Sequence, residues 1–478
     1  MEIQTGALVI VLAYMVGMMI IGYVVGKINI KGSADYLVAG RRMGLFMVAF
    51  SLSANNIGGG LAQKAFGAWG VSAIWYVLAA SLAMIPLAYF APKIRKTMAV
   101  TIPEVVGRRF GKVSSNFTAV LSVLSLFCLT SSQIGASGAV INALIPTIPL
   151  NVCLLLAGFV TIFYTTFGGM IADQVSDLIQ FGIILVGLAI ATPIVLKHAG
   201  GWAAISAALP GEKLNMTQIG WASIIGYFFN YFCTFLCGPE MVSRFETCKD
   251  EKTAVRASFL CAILMAAMSI FPTLLGLAAF ALKDQLPGLA ENGSNAMMVV
   301  TGAYAPGVIT GLISAAIICA TMSSADSNLL CMSTMIINDI YPGFGGKKKL
   351  EDKQVIFYTR LCNVIAALIA MGISMFGVSL VAMNTFAFGI RCAGPFAAYG
   401  LGLAVPKATK NSGLISIFTG TIAFVVWQLL SNGGTLWFMM PVVFGSLVSV
   451  ITFYVVNLIE WKRGVPAAPS AYTVEEAK

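Results

Sequence analysis

Composition and hydropathy predict an all-α integral membrane protein with about 13 transmembrane helices. Three observations carry this. The 478 residues are 58% hydrophobic and only 10% charged, where a soluble domain carries about 25% charge. Apolar runs recur from end to end, each near the roughly 20 residues a helix needs to cross a bilayer. No polar stretch between them is long enough for a soluble domain. A soluble enzyme, a secreted scaffold and a disordered chain are excluded. The spans are helices because backbone groups in lipid must satisfy one another within the segment; barrel strands would be short and alternating.

The apolar segments fall at 5–26, 44–67, 71–92, 116–145, 150–168, 177–196, 219–238, 257–282, 305–336, 355–378, 380–404, 412–431 and 437–459. The first follows Met1-Glu2 without a basic leader, so it reads as a retained span. The net charge of +10 marks orientation rather than nucleic acid. With the N-terminus outside, 24 of the 29 Lys and Arg fall in cytoplasmic segments, as the positive-inside rule requires. Among them are Lys27, Lys31, Arg41 and Arg42, the group from Lys93 to Lys112, Arg244 to Arg256, and Lys347-Lys348-Lys349. Only Lys197, Lys213 and Lys283 fall outside, while Lys64 and Arg391 lie within spans. The C-terminus is then cytoplasmic, in a plasma or inner membrane. The lysine run belongs to a solvated loop, and the tail after Arg463 is short and Pro/Ala-rich.

Cys128, Cys153, Cys233, Cys237, Cys261, Cys319, Cys331, Cys362 and Cys392 fall in or beside spans, and Cys248 in a polar loop. No CxxC pair occurs, and His198 is the only histidine. Neither a disulfide framework nor a thiol or histidine metal site is indicated. No catalytic triad or metal cluster is visible, so an enzyme is not expected.

Two spans contain helix-breaking chemistry at depth. The second holds Ser53-Ala54-Asn55-Asn56-Ile57-Gly58-Gly59-Gly60, a poor helix former. The seventh is interrupted at Cys237-Gly238-Pro239. Paired breaks in corresponding spans of two halves mark an inverted-repeat transporter, in which freed carbonyls hold a cation and freed N–H groups meet a solute. The alternative is close packing of helices through small residues. The ninth span contains Thr321-Met322-Ser323-Ser324-Ala325-Asp326-Ser327-Asn328. Adjacent hydroxyls at 323 and 324, with a carbonyl such as that of Ala320, offer the hard oxygens that an alkali cation takes.

These residues carry a family resemblance. Tyr164-Thr165-Thr166-Phe167-Gly168-Gly169-Met170-Ile171-Ala172, running on to Ser176-Asp177-Leu178-Ile179-Gln180, resembles a signature of the sodium:solute symporters. Ser33-Ala34-Asp35-Tyr36 with Ala39-Gly40-Arg41, and Thr101-Ile102-Pro103-Glu104 with Arg108-Arg109-Phe110-Gly111, match in order. Gly238-Pro239 leading to Arg244-Phe245, and Met322 to Ser327, continue the match over roughly residues 30–400. The resemblance implies the leucine-transporter fold. Residues 1–43 would then hold the first helix and a cytoplasmic loop, 44–197 the first five-helix repeat, 198–405 the inverted second, 406–459 two further spans and 460–478 the tail. It implies a coupling sodium ion held by the carbonyls of Ser53, Asn56 and Ala320 and the side chains of Ser323 and Ser324. Asp177 falls on the sodium exit route, where it would also cap the sixth helix. Tyr231, Phe235 and Pro239 become solute-facing positions, and Asn55, Gly59 and Gln133 join them as candidates.

The stretch Leu61-Ala62-Gln63-Lys64-Ala65-Phe66-Gly67 departs from the Gly-x-Pro-Gly spacing of proline-type members, so cargo identity does not carry over. Lys64 and Arg391 are intramembrane cations, a functional signal by default. Arg391 lies about 16 Å along its span, near the midplane, and its fork suits a carboxylate. Its other reading is a pair with a protein carboxylate or helix carbonyls; the other reading of Lys64 is a side chain that reaches outward to the interface. The expectation is sodium-coupled uptake of a small organic solute, carboxylate or amino-acid-like, with no obligate protein partner and no nucleic acid. Two alternatives stay open: a proton-coupled carrier of the same fold, with Lys64 or Asp177 titrating, and a transporter-like membrane sensor.

Overall fold

The computed structural model describes residues 5–56, 60–145, 147–343, 350–376, 380–432, 434–436 and 439–472. Among these no strand forms, and the order is helical throughout. Helix α1 (Thr5–Asn29) leads into the short α2 (Ser33–Val38). Helices α3 (Leu45–Ala54) and α4 (Gly60–Phe66) are the two parts of the second span. Then come α5 (Trp75–Lys96), α6 (Ile102–Phe110), α7 (Lys112–Leu144), α8 (Leu150–His198) and α9 (Gly201–Ala208). The seventh span is α10 (Trp221–Leu236) and α11 (Pro239–Glu246), followed by α12 (Glu251–Met268), α13 (Ile270–Ala281) and α14 (Ala296–Tyr304). The long α15 (Gly307–Met335) passes through a π turn at Ile336–Ile340 into α16 (Tyr341–Gly343). Helix α17 (Asp352–Met375) and α18 (Leu380–Ile390) precede a second π turn at Ala397–Leu401 and α19 (Gly402–Ala404). Helices α20 (Lys410–Leu430) and α21 (Pro441–Lys462) complete the order.

Among the described residues nine helices are long and apolar enough to cross a membrane, and α3 and α10 are shorter apolar helices. Helix α8 serves as two spans. Gly169 adopts φ 58°, ψ −167° in its middle, backbone that only glycine takes readily. Before it, Tyr164 and Phe167 lie against Gly22 and Gly26 of α1. After it, Gln180 reaches back to the Tyr14 hydroxyl at 2.8 Å. The two halves therefore run in opposite directions along α1. A short loop between these spans was expected; the chain stays helical except at the one glycine.

The core surrounds α15, which is buried along nearly its whole length and packs against α8, α7 and α1. A helix buried on every side belongs inside a large bundle, and its polar residues must find partners there. At the periphery, α1, α17, α20 and α21 expose rows such as Val9, Leu12, Val16 and Ile20 or Leu361, Ile365, Leu368 and Ile369. Such a surface suits hydrocarbon. Asp250 caps α12, accepting the Thr253 N–H at 2.7 Å, and this bond holds its carboxyl below the usual carboxylate range.

Candidate ion and solute site

The first break follows from local chemistry. Helix α3 ends at Ala54, and Asn56 folds its amide back onto the Leu52 carbonyl at 2.7 Å. Asparagine competes with the backbone in this way and favours helix ends. The second break places Cys237 at φ −101°, ψ 6° and Gly238 at φ −80°, ψ 112°, with Pro239 opening α11. Proline has no N–H to continue a helix but suits the first position of a new one. Asn56 also lies 3.6 Å from the Met241 sulfur, so the two broken spans touch. Gly59, a candidate solute position, lies outside the described residues.

Helix α15 faces both breaks. Ser324 Oγ donates toward the carbonyls of Asn55 and Ala320, each 3.3 Å away. Ser323 Oγ instead donates to Asp177 Oδ1 at 2.6 Å. Neighbouring residues project about 100° apart around a helix. One hydroxyl thus addresses the unwound segment and the other a buried acid. Ser53 is buried and bonds Ala49 O at 2.8 Å. The carbonyl meeting Ser324 is that of Asn55, between the expected Ser53 and Asn56. Among the described residues Asn55 Nδ2 is buried without a partner.

Asp177 does not cap a helix. It lies inside α8, fully buried, eight residues past the turn at Gly169. Ser51 Oγ and Ser323 Oγ both donate to it, and the Arg244 guanidinium approaches within 3.0 Å. Arg244 also pairs with Asp173 at 2.8 Å. It bonds Ser51 Oγ at 3.0 Å, Glu240 O at 3.0 Å, Ser243 Oγ at 3.2 Å, and Ser327 Oγ. Asp326 completes an acid group: one oxygen atom of each of Asp173, Asp177 and Asp326 lies within 4.8 Å of the others. One oxygen of Asp326 has no hydrogen-bond partner among the described residues. Two of these buried carboxylates, Asp173 and Asp177, share the Arg244 guanidinium, and Asp326 lies beside them. Unpaired buried charge is costly, so the arrangement calls for further cations or protons.

Two members of this cluster were missed in the sequence. Asp173 falls between predicted spans five and six. Arg244 counts among the cytoplasmic loop cations, yet it is fully buried. The available signals were the six polar residues from Thr321 to Asn328 and the Gly238-Pro239 break, which tuck α11 and its arginine into the bundle.

Arg391 requires correction. It is 1% exposed, and its two terminal nitrogens each donate at 2.6 Å to one oxygen of Glu240. The break at Gly238 frees the chain to aim Glu240, the second residue of α11, at this guanidinium. The fork is therefore closed by a protein acid, and the case for a carboxylate cargo at Arg391 falls away. Lys64 is half-buried and has no acidic partner among the described residues; its ammonium lies 4.3 Å from the Trp69 ring centre and 4.7 Å from that of Tyr76. Tyr231 packs against Tyr76, Tyr227 and Phe235, so Lys64, Tyr231 and Phe235 belong to one aromatic neighbourhood. Gln133 is half-buried on α7. Pro239 faces a separate cavity with Glu246 and Thr101.

Two broken helices set against a hydroxyl-rich central helix define an ion-coupled membrane carrier. The sodium:solute symporter family matches residues 36–420, and the chain belongs to that family. Its function is therefore sodium-coupled symport of a small organic solute, and it is a multi-pass membrane protein. Sodium/proline symporters of Staphylococcus aureus, strains bovine RF122 / ET3-1 and Newman, are each 25% identical to it, covering 95% of this chain and 93% of theirs. A Na+-coupled sialic acid symporter in a substrate-bound outward-open state superposes with a TM-score of 0.83 at 21% identity, over 97% of this chain and 99% of its own. Mhp1, a nucleobase-cation-symport-1 family transporter in a closed conformation, gives 0.60 at 15% identity, over 94% and 98%. These neighbours establish a leucine-transporter-like fold.

Proposed function

We propose that the chain moves sodium and its solute together by alternating access between two inverted repeats, with the N-terminus outside. The carbonyls of Ser53, Asn56 and Ala320 and the hydroxyls of Ser323 and Ser324 form the sodium site. The observation that carries this is Ser324 Oγ, placed 3.3 Å from both the Asn55 and Ala320 carbonyls. It spans the gap between an unwound segment and the central helix, where a cation can draw both elements together. Asp177, bonded to Ser323, lies on the way out. Ion and solute each favour the same occluded state, which is the coupling free energy of the cycle. Each 100 mV of membrane potential adds about 2.3 kcal/mol per charge moved.

The solute is a small carboxylate or amino-acid-like molecule. Relatives named for proline and sialic acid support this, and Lys64, with no acidic partner among the described residues, supplies a cation for it. A thermal-shift screen of the purified protein against a solute library, in sodium and in potassium, tests both parts at once, since a ligand of the native state raises apparent stability. A tightest ligand that is a neutral sugar or nucleobase would contradict the cargo class. The grouping of Asp173, Asp177 and Asp326 around a single guanidinium, which pairs with only two of them, favours a second reading, in which a proton accompanies or replaces sodium. Stabilisation by acid pH in place of sodium would select it.

A further inference from the structure

A separate small cavity, with room for about one water-sized occupant, lies beside α11. Thr101, Pro239, Ser243, Glu246, Cys331 and Thr334 are among its lining residues. Glu246 is 2% exposed, and neither of its carboxylate oxygens has a hydrogen-bond partner among the described residues. Burying a carboxylate without a partner is among the most costly arrangements in a protein. Two cations, Arg41 and Arg108, lie close enough to act on Glu246 electrostatically, as do the acids Glu104 and Asp339. Both arginines are committed elsewhere. Arg41 bonds the carbonyls of Met98 at 2.7 Å and Ala99 at 2.9 Å. Arg108 pairs with Glu104 at 2.5 Å and bonds Thr97 O at 2.6 Å. Asp339 is itself buried with one oxygen unpartnered among the described residues, so it adds negative charge rather than relief.

Two hydroxyl-bearing residues, Thr101 and Ser243, line the same cavity. Thr101 Oγ1 accepts the Glu104 N–H at 3.2 Å. Ser243 Oγ accepts from Arg244 at 3.2 Å, its other acceptor position facing only the weak thiol donor of Cys331 at 3.6 Å. Carboxylate and hydroxyl oxygens are the ligands hard cations take. One carboxylate amid two nearby arginines favours a single positive charge over two. Through Ser243 and Arg244 the cavity adjoins the Asp173–Asp177 cluster.

We propose that Glu246, with the hydroxyls of Thr101 and Ser243, is a second monovalent-cation site, where sodium leaving the Asp177 cluster pauses before the cytoplasm. This rests on the sodium reading above and extends its exit route by one station.

The test is equilibrium binding of radiolabelled sodium to the purified full chain, with potassium holding ionic strength constant. Two classes of bound sodium are expected. Replacing Ser323 and Ser324 by alanine removes one class. Glu246→Gln weakens the other at least about tenfold, Glu246→Asp retains it, and Ser243→Ala, with one oxygen fewer, weakens it about threefold or more. Sodium binding in Glu246→Gln identical to wild type overturns the proposal. If that variant does not fold, unchanged binding in Ser243→Ala overturns it. Loss of all binding in the serine double variant also overturns it while leaving the sodium reading standing. Binding that survives the double variant and disappears in Glu246→Gln supports Glu246 and removes the serine site instead.

Discussion

Arg391 on the eleventh span and Glu240 on the seventh close a bidentate pair inside the bundle, both contacts at 2.6 Å. The pair ties the chain just past the second break to a helix 151 residues further along the sequence. A buried ion pair is weak evidence for stability, but breaking one is expensive. Glu240→Ala or Arg391→Ala should each destabilise the protein by about 3–5 kcal/mol, read as the midpoint of thermal unfolding in detergent. Replacing both by apolar residues of similar volume should cost less than either alone. A single-variant loss no larger than that of an exposed residue contradicts the pairing.

Sodium dependence should reside in α15. Changing Ser323 and Ser324 together to alanine should weaken sodium's stabilisation or stimulation at least tenfold, about 1.4 kcal/mol. The check is a sodium titration of thermal stability against potassium. An unchanged titration rejects these serines as ligands.

Within the acid cluster the order of damage is informative. Arg244→Gln leaves Asp173 and Asp177 without their cation and should destabilise the protein by roughly 3–5 kcal/mol. Asp173→Asn leaves the Arg244–Asp177 contact of 3.0 Å in place and should cost clearly less. Equal losses would show that Asp173, not Asp177, is the arginine's principal partner.

Lys64 should read the solute. Lys64→Met should weaken binding of a carboxylate solute by tenfold or more, about 1.4 kcal/mol, and leave sodium's own stabilising effect within twofold of wild type. Lys64→Arg keeps the charge and should recover much of the affinity. Binding unaffected by Lys64→Met would leave the ammonium with only its aromatic contacts.

Gly169→Ala should prevent normal folding. Its φ of 58° with ψ of −167° is hostile to a side chain, costing about 1–3 kcal/mol or more. An added Cβ would also sit 2.7 Å from the Tyr36 ring. Yield of monodisperse protein from membranes measures this; a normal yield would mean that the turn in α8 tolerates a different backbone.

The sequence by itself determined the membrane class, the helical secondary structure and the places where helices fail. These are local properties. Hydrophobic length, the positive-inside bias, Asn55-Asn56 and Gly238-Pro239 act over a few residues, and the structure interrupts its helices at Asn55-Asn56 and at Cys237-Gly238. The polar run of the ninth span likewise announced a buried surface needing polar partners. Tertiary structure decided which partners those were. Hydropathy treats Arg244 as one more cytoplasmic cation, because it registers charge without knowing that α11 folds back into the bundle. It places Asp173 in a loop, because Gly169 turns the chain without ending the helix. It leaves the partner of Arg391 open, because no local rule aims Glu240 at it from 151 residues away. The splitting of Ser323 toward Asp177 and Ser324 toward the Asn55 carbonyl follows from how α15 is rotated between α8 and the first break. That rotation is set by packing on every side of the helix, and packing is the one thing a linear pattern does not contain.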